Sequence, residues 1–174
     1  MDKPLQKALF LDRDGVINVE KNYLYKIEDF EFIDGIFELC RHYQELGFII
    51  IVVTNQSGIA RNYYSEEDFQ KLTKWMIGEF LKQNIIISKV YHCPHHPKIS
   101  GECSCRKPNA GMFLEAKEEF GIDMQNSIMV GDKERDVEAG LNAGVKENYL
   151  FAESGNVVES YAVKVVGTLS EIIE

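Results

Sequence analysis

Lys7-Ala8-Leu9-Phe10-Leu11-Asp12-Arg13-Asp14-Gly15 is a short apolar run that stops abruptly at two carboxylates and a glycine. A run of this kind reads as a buried strand running into a polar loop. The pattern recurs twice. Phe48-Ile49-Ile50-Ile51-Val52-Val53 stops at Thr54-Asn55-Gln56-Ser57-Gly58, and Ser127-Ile128-Met129-Val130 stops at Gly131-Asp132. Uninterrupted β-branched runs suit parallel strands covered on both faces. A further strand is expected from Ile85 to Tyr91, and weaker strand signals lie at Asn148 to Phe151 and Val163 to Val166.

Helical spacing fills the gaps between these runs. From Asp34 to Leu46, residues Ile36, Leu39, Cys40, Tyr43 and Leu46 share a face, with Asp34 as the expected cap and Gly47 as the stop. Ser65 with Asp68 resembles a capping box, and Phe69, Leu72, Met76 and Phe80 line the helix behind it. Further helices are expected from Ala110 to Phe120, from Asp136 to Ala143, and briefly at the end of the chain. Alternation of strand and helix predicts an α/β fold: a doubly wound, Rossmann-like parallel sheet with helices on both faces. Ligands of such sheets bind beyond the carboxyl ends of the strands, so Asp12, Thr54 and Asp132 should meet at one edge.

At 174 residues the chain is expected to form a single domain, 1–174, with a proper core. Its formal net charge of −9 opposes nucleic acid and anionic membranes as partners. A small phosphate ester stays compatible, because a local basic cluster outweighs the global field. No apolar stretch is long enough to span a bilayer, and Met1-Asp2-Lys3-Pro4-Leu5-Gln6 lacks the apolar core of a signal peptide. A cytoplasmic location and a monomer are the expectations.

Asp12-x-Asp14-Gly15 taken alone is equally a turn. Asp132, at the end of another strand, shifts the balance. Carboxylates gathered at one strand edge repel one another unless a cation neutralises them, and oxygen ligands suit Mg²⁺. Phosphoryl transfer needs a nucleophile, a proton donor and fixed positive charge. Asp12 is placed to be the nucleophile and Asp14 the acid and base, with Thr54 and Lys107 holding the phosphoryl group.

The segments Leu11 to Ile17, Thr54 to Ile59, Cys105-Arg106-Lys107-Pro108 and Gly131-Asp132-Lys133 occur in the order that marks the haloacid dehalogenase superfamily of aspartyl-phosphate phosphatases, and the chain resembles that family. The resemblance implies Mg²⁺ held by Asp12, Asp132 and the main-chain carbonyl of Asp14. Asp136 would orient Lys107 or a metal-bound water, or cap its helix.

Cys93, His95, Cys103 and Cys105 fall within thirteen residues, a Cys₃His set suited to a closed, structural zinc site in a loop at 92–108. His96 is the alternative imidazole; His92 and His42 read as packing residues. The site would hold Arg106 and Lys107 where substrate enters.

This loop, with the segment Thr54 to Arg61, makes the chain similar to the bacterial D-glycero-D-manno-heptose bisphosphate phosphatases of lipopolysaccharide and other surface-polysaccharide synthesis. That resemblance implies removal of the C7 phosphate and retention of the C1 phosphate. It also implies sugar-phosphate contacts from Arg13, Glu20, Lys21, Asn22, Tyr23, Asn55, Gln56, Ser57, Arg106 and Lys133. The short stretch between His95 and Cys103 approaches the loop of histidinol-phosphate phosphatases, so that substrate is the alternative. A nucleic-acid end-processing phosphatase and an inactive binding module are disfavoured by the charge and by the intact carboxylates. Tyr23, Tyr25, Phe30 and Phe32 are expected to pack a loop onto the core, and no large cap domain is expected over the site.

Overall fold

The computed structural model describes residues 3–152 and 159–174; Met1 and Asp2, which open the N-terminal stretch read above, lie outside the described residues. Six strands carry the fold: β1 (Ala8–Leu11), β2 (Ile49–Asn55), β3 (Ile87–Cys93), β4 (Ile128–Gly131), β5 (Glu147–Phe151) and β6 (Lys164–Val166). They form one sheet in the order β3-β2-β1-β4-β5-β6, every pair parallel. The chain builds outward from β1 to β3, then crosses back to place β4 on the other side of β1. The switch point therefore lies between β1 and β4, where Leu11 pairs with both Val52 and Val130. Asp12, Thr54 and Asp132 thus emerge at one edge of the sheet, beside that switch point.

Among the described residues, six helices accompany the sheet: α1 (Ile36–Glu45), α2 (Glu66–Lys82), α3 (Pro97–Ser100), α4 (Gly111–Phe120), α5 (Glu134–Asn142) and α6 (Ser170–Ile173). The two-residue period of the strands divides the core. Leu9, Leu11, Ile50 and Val52 point to the face covered by α1 and α2, with Ile36, Leu39, Met76 and Phe80. Ala8, Phe10, Ile51 and Val53 point to the opposite face, against Met112, Phe113 and Ala116 of α4 and Ala139 of α5. Phe10 and Phe113 meet there with ring centroids 4.9 Å apart. Truncating either ring to alanine should cost about 3–5 kcal/mol.

Helix α2 opens with the expected capping box: Ser65 Oγ accepts from the Asp68 amide at 3.0 Å, and Asp68 answers at the Ser65 amide at 2.9 Å. Helix α1 departs from expectation. Asp34 does not cap it; Gly35 takes the cap position at φ 87°, with no side-chain hydrogen bond. A left-handed turn at glycine presents the first amides differently, and the carboxylate is not needed. Strand β2 also runs past Val53, because Thr54 and Asn55 pair with His92 and Cys93 of β3.

Residues 13–33 fold back over the site edge. The Gly15 amide donates to Asn18, the Ile33 amide to Ile17 and the Val19 amide to Glu31. Phe30 and Phe32 pin this segment to Trp75, while Tyr25 stacks on Tyr64. It is the only covering besides the loop at 92–108 among the described residues, which include no large cap. Among the described residues no helix is long and apolar enough to cross a membrane.

Candidate active site

Lys107 is fully buried, a position a lysine holds only when its charge is matched. Its Nζ lies 2.9 Å from Asp12 Oδ1 and 2.7 Å from Asp136 Oδ1, and donates to the Val53 carbonyl at 2.8 Å. Asn55 fixes the main chain that carries it. Asn55 Oδ1 accepts from the Lys107 amide at 3.0 Å, and Asn55 Nδ2 donates to the Lys107 carbonyl at 3.2 Å. Asn55 still lines the cavity, but its amide is committed to positioning Lys107.

Carboxyl oxygens of Asp12, Asp132 and Asp136 lie within 4.8 Å of one another. Burial, then repulsion from Asp136, pushes Asp12 well above the usual carboxylate range, against the pull of Lys107. Burial and Asp136 likewise push Asp132 up to about 6. Lys107 is held above its ordinary value by Asp12 and Asp136, which outweigh its own burial. One ammonium thus serves two of three crowded carboxylates. A divalent cation between Asp12 and Asp132 would supply the missing charge, and the all-oxygen donor set fits Mg²⁺. Gly15 makes room for it: at φ +90° a Cβ there would sit 2.1 Å from Asp132 Oδ2.

Asp136 touches both Lys107 and the start of its own helix. Oδ1 pairs with Lys107, while Oδ2 accepts from the Lys133 amide at 3.0 Å and closes the first turn of α5.

Asp14 sits in a web of donors. Oδ1 accepts from Arg13 Nη2 and Asn18 Nδ2, each at 3.0 Å, and Oδ2 accepts from Gln56 Nε2 at 3.0 Å. Gln56 Nε2 also donates to Thr54 Oγ1 at 2.9 Å, and its carbonyl accepts from Tyr64 OH. The Tyr64 hydroxyl therefore sets which end of the Gln56 amide faces Asp14 and Thr54. Arg13 is buried, its guanidinium held by Asp14 and the Leu24 carbonyl, and it does not line the cavity; its amide donates to Asp12 Oδ1 at 2.9 Å.

A cavity of about 330 Å³ adjoins these groups, lined by Asp14, Glu20, Asn22, Tyr23, Asn55, Gln56, Ser57, Arg106 and Lys133 of the expected set. A smaller recess of about 50 Å³ holds Asp12, Lys107 and Asp132. Lys21 does not join them. Its Nζ donates to the Asp29 carbonyl at 2.9 Å and pairs with Glu31 at 3.3 Å. Sequence reasoning missed three lining residues: Arg61, Tyr64 and Arg135. The motif Ser57-Gly58-Ile59-Ala60-Arg61 was available as a signal for the first. Arg135 sits in the first turn of α5, where an arginine reads as surface charge.

Cys93, His95, Cys103 and Cys105 converge in the zinc-loop region. His95 Nδ1 lies 3.6 Å from Cys93 Sγ and 3.3 Å from Cys105 Sγ, and the Cys93–Cys103 and Cys103–Cys105 sulfur separations are 3.6 and 3.5 Å. Edges of a tetrahedral thiolate site are roughly 3.7 Å; the Cys93–Cys105 sulfur separation is shorter, 2.8 Å, so these two thiols would have to spread apart to hold zinc. His96 is not part of it, since its Nδ1 accepts from the Lys98 amide. His92 stacks on Phe69 and pairs with Glu66 at 2.8 Å. Arg106 Nη1 donates to the His95 carbonyl at 3.3 Å, which ties the metal loop to a cavity-lining cation.

Comparison with known proteins shows what the chain is similar to. Residues 104–150 match the HAD-hydrolase-like family model. The D-glycero-alpha-D-manno-heptose-1,7-bisphosphate 7-phosphatase of Campylobacter jejuni is 61% identical over 139 residues, covering 80% of this chain and 78% of the relative. The corresponding beta-heptose enzyme of Haemophilus influenzae is 47% identical over 150 residues, covering 84% and 82%. The fold matches the D,D-heptose 1,7-bisphosphate phosphatase of B. bronchiseptica, solved with magnesium and phosphate, at a TM-score of 0.82 and 24% identity, covering 96% of each chain. With that identity to the Campylobacter enzyme over four-fifths of its length, the chain belongs to the D-glycero-D-manno-heptose-1,7-bisphosphate 7-phosphatase family.

Proposed function

We propose that this chain removes the C7 phosphate of a D-glycero-D-manno-heptose 1,7-bisphosphate and releases the 1-phosphate, with Asp12 as the phosphoryl acceptor. One observation carries the reading: Lys107 is buried between Asp12 and Asp136, with Asp132 within reach at the switch point of the sheet. Such a site is costly to build and serves no core packing. It suits a reaction in which a carboxylate must accept a dianion.

Asp12 attacks phosphorus, and the bond to the C7 oxygen breaks. Asp14 exchanges its hydrogen bond from Gln56 for one to that oxygen and delivers a proton to it. Asp14 then takes a proton from the entering water, which cleaves the aspartyl phosphate and returns Asp12 to its carboxylate. Thr54 and Lys107 hold the transferred group throughout. Mg²⁺ bound by Asp12, Asp132 and the Asp14 carbonyl would neutralise charge on the phosphoryl group. Zinc on the Cys₃His cluster is structural in this account and keeps Arg106 at the mouth.

The remaining contacts come from Glu20, Asn22, Tyr23, Gln56, Ser57 and Lys133. All named groups belong to one chain, so a monomer of one domain, 1–174 with the zinc loop at 92–108, suffices. The acidic surface disfavours nucleic acid. A phosphate-release assay with both anomers of the heptose bisphosphate and with histidinol phosphate tests the reading. Faster turnover of a heptose anomer is expected, and a preference for histidinol phosphate would overturn it.

A further inference from the structure

Arg13 is 2% exposed, and it lines neither the larger cavity nor the recess over Asp12. A buried guanidinium that meets no substrate space needs another reason to stand beside the acid and base of the reaction. Its contacts supply one. Nη2 and Nε donate to Asp14 Oδ1 at 3.0 and 3.3 Å, and Nη2 also donates to the Leu24 carbonyl at 3.0 Å. The guanidinium lies over Phe69 of α2, 5.8 Å from the ring centroid. Among the described residues, Asp14 is the one carboxylate paired with it.

The two oxygens of Asp14 are unequal. Oδ1 takes three donors, the two Arg13 nitrogens and Asn18 Nδ2 at 3.0 Å. Asn18 is fully buried, and its Nδ2 also donates to the Val19 carbonyl at 3.2 Å, which fixes its direction. A proton on Oδ1 would face the hydrogens of all three donors. Oδ2 accepts one bond, from Gln56 Nε2 at 3.0 Å, and that amide has a second acceptor in Thr54 Oγ1. Gln56 can therefore release Oδ2 and keep a partner, whereas Oδ1 is held by a buried charge. Asp14 itself lines both the larger cavity and the recess with Asp12. Leu24 extends the link, because it follows Tyr23, which lines the larger cavity. One guanidinium thus ties the acid to the turn beside it.

We propose that Arg13 is a positioning residue for proton transfer: it grips Asp14 by Oδ1, so that Oδ2 alone faces the leaving oxygen and carries the proton. The proposal rests on the phosphatase reading above, and it gives Arg13, expected from the sequence to touch substrate, a role one step removed. In the first half-reaction the proton passes from Oδ2 to the leaving oxygen as its bond to phosphorus breaks. In the second, Oδ2 takes a proton from the entering water.

The test compares wild type, Arg13→Gln and Arg13→Lys on p-nitrophenyl phosphate and phenyl phosphate. The two esters differ little in size, but phenoxide is the poorer leaving group and gains more from a proton. The kcat/KM values report the steps up to release of the phenol, so water attack on the aspartyl phosphate does not enter. Arg13→Gln should lower kcat/KM roughly 10- to 100-fold more for phenyl phosphate than for p-nitrophenyl phosphate. Arg13→Lys keeps the charge but cannot grip Asp14 and the Leu24 carbonyl in the same way, and it should fall between. An equal loss on both esters, as a phosphate contact or a merely structural role would give, overturns the proposal, and so does an unchanged ratio. If circular dichroism shows Arg13→Gln misfolded, Arg13→Lys decides, and equal behaviour on the two esters contradicts the proposal. Wild type that cleaves the aryl esters but not the heptose bisphosphate would overturn the substrate reading and leave the role of Arg13 standing.

Discussion

Replacing Lys107 with methionine keeps the bulk of the side chain and removes only its charge and hydrogen bonds. Asp12 and Asp136, at 2.9 and 2.7 Å from the lost ammonium, would then face each other in a buried site. Removing one partner of a buried pair costs about 3–5 kcal/mol. Part of that is offset here. Burial and Asp136 already press Asp12 toward its neutral form, and without Lys107 it takes up a proton more readily. The lower end, about 3 kcal/mol, is therefore expected. For a chain of this length that is roughly 6–12 °C in Tm, against a total stability of about 5–15 kcal/mol, so the variant stays folded enough to assay. Adding Asp136→Asn removes the stranded carboxylate. The double variant should be more stable than the sum of the two losses by about 1–3 kcal/mol. Activity should not follow stability: both variants should lose roughly 100- to 1,000-fold in kcat, as when an electrostatic catalyst is deleted. Urea unfolding and phosphate release measure the two quantities. Additive losses, or a Lys107→Met cost below about 1 kcal/mol, would show that the three groups are not coupled as described.

Gly15→Ala would force a methyl against Asp132 Oδ2 at a left-handed backbone position; kcat should fall, with a higher Mg²⁺ requirement and a stability loss of about 1–3 kcal/mol by thermal melting. Chelating zinc, or substituting Cys105→Ser, should lower Tm and reduce kcat/KM for the bisphosphate roughly tenfold or more, because Arg106 is anchored to the His95 carbonyl. Equal activity with and without zinc would break that link. Tyr64→Phe frees the Gln56 amide to turn, so Asp14 and Thr54 lose a fixed donor; a roughly tenfold fall in kcat with little change in Tm is expected from steady-state assays.

Much of this was legible in the chain because local chemistry and fold agree. The three apolar runs that stop at Asp12, Thr54 and Asp132 could only be inner parallel strands, and strand position then determined where the carboxylates meet. The Cys₃His cluster was legible because so many cysteines in one short loop have few other uses. What escaped depends on three-dimensional neighbours. Asp34 carries the right side chain for a cap, yet Gly35 adopts the turn and displaces it. Lys21 looks like a substrate cation until the fold-back of residues 13–33 brings Asp29 and Glu31 to it. Tyr64 and Arg135 carry no spacing signal, and the motif that contains Arg61 does not show where its side chain goes; only the closure of the cavity gathers them. The sequence left the role of Asp136 open, because only the fold shows that its two oxygens face different partners, Lys107 and the Lys133 amide.

The most direct test is to catch the phosphoryl group on the chain. Asp14→Asn should still form the covalent intermediate from p-nitrophenyl phosphate, whose leaving group needs no proton, while water attack on it stalls. Rapid quenching, borohydride reduction and peptide mass spectrometry should then find residue 12 converted from aspartate to homoserine. Homoserine at another aspartate, or an unmodified Asp12 peptide after a measured burst of p-nitrophenol, would contradict the account.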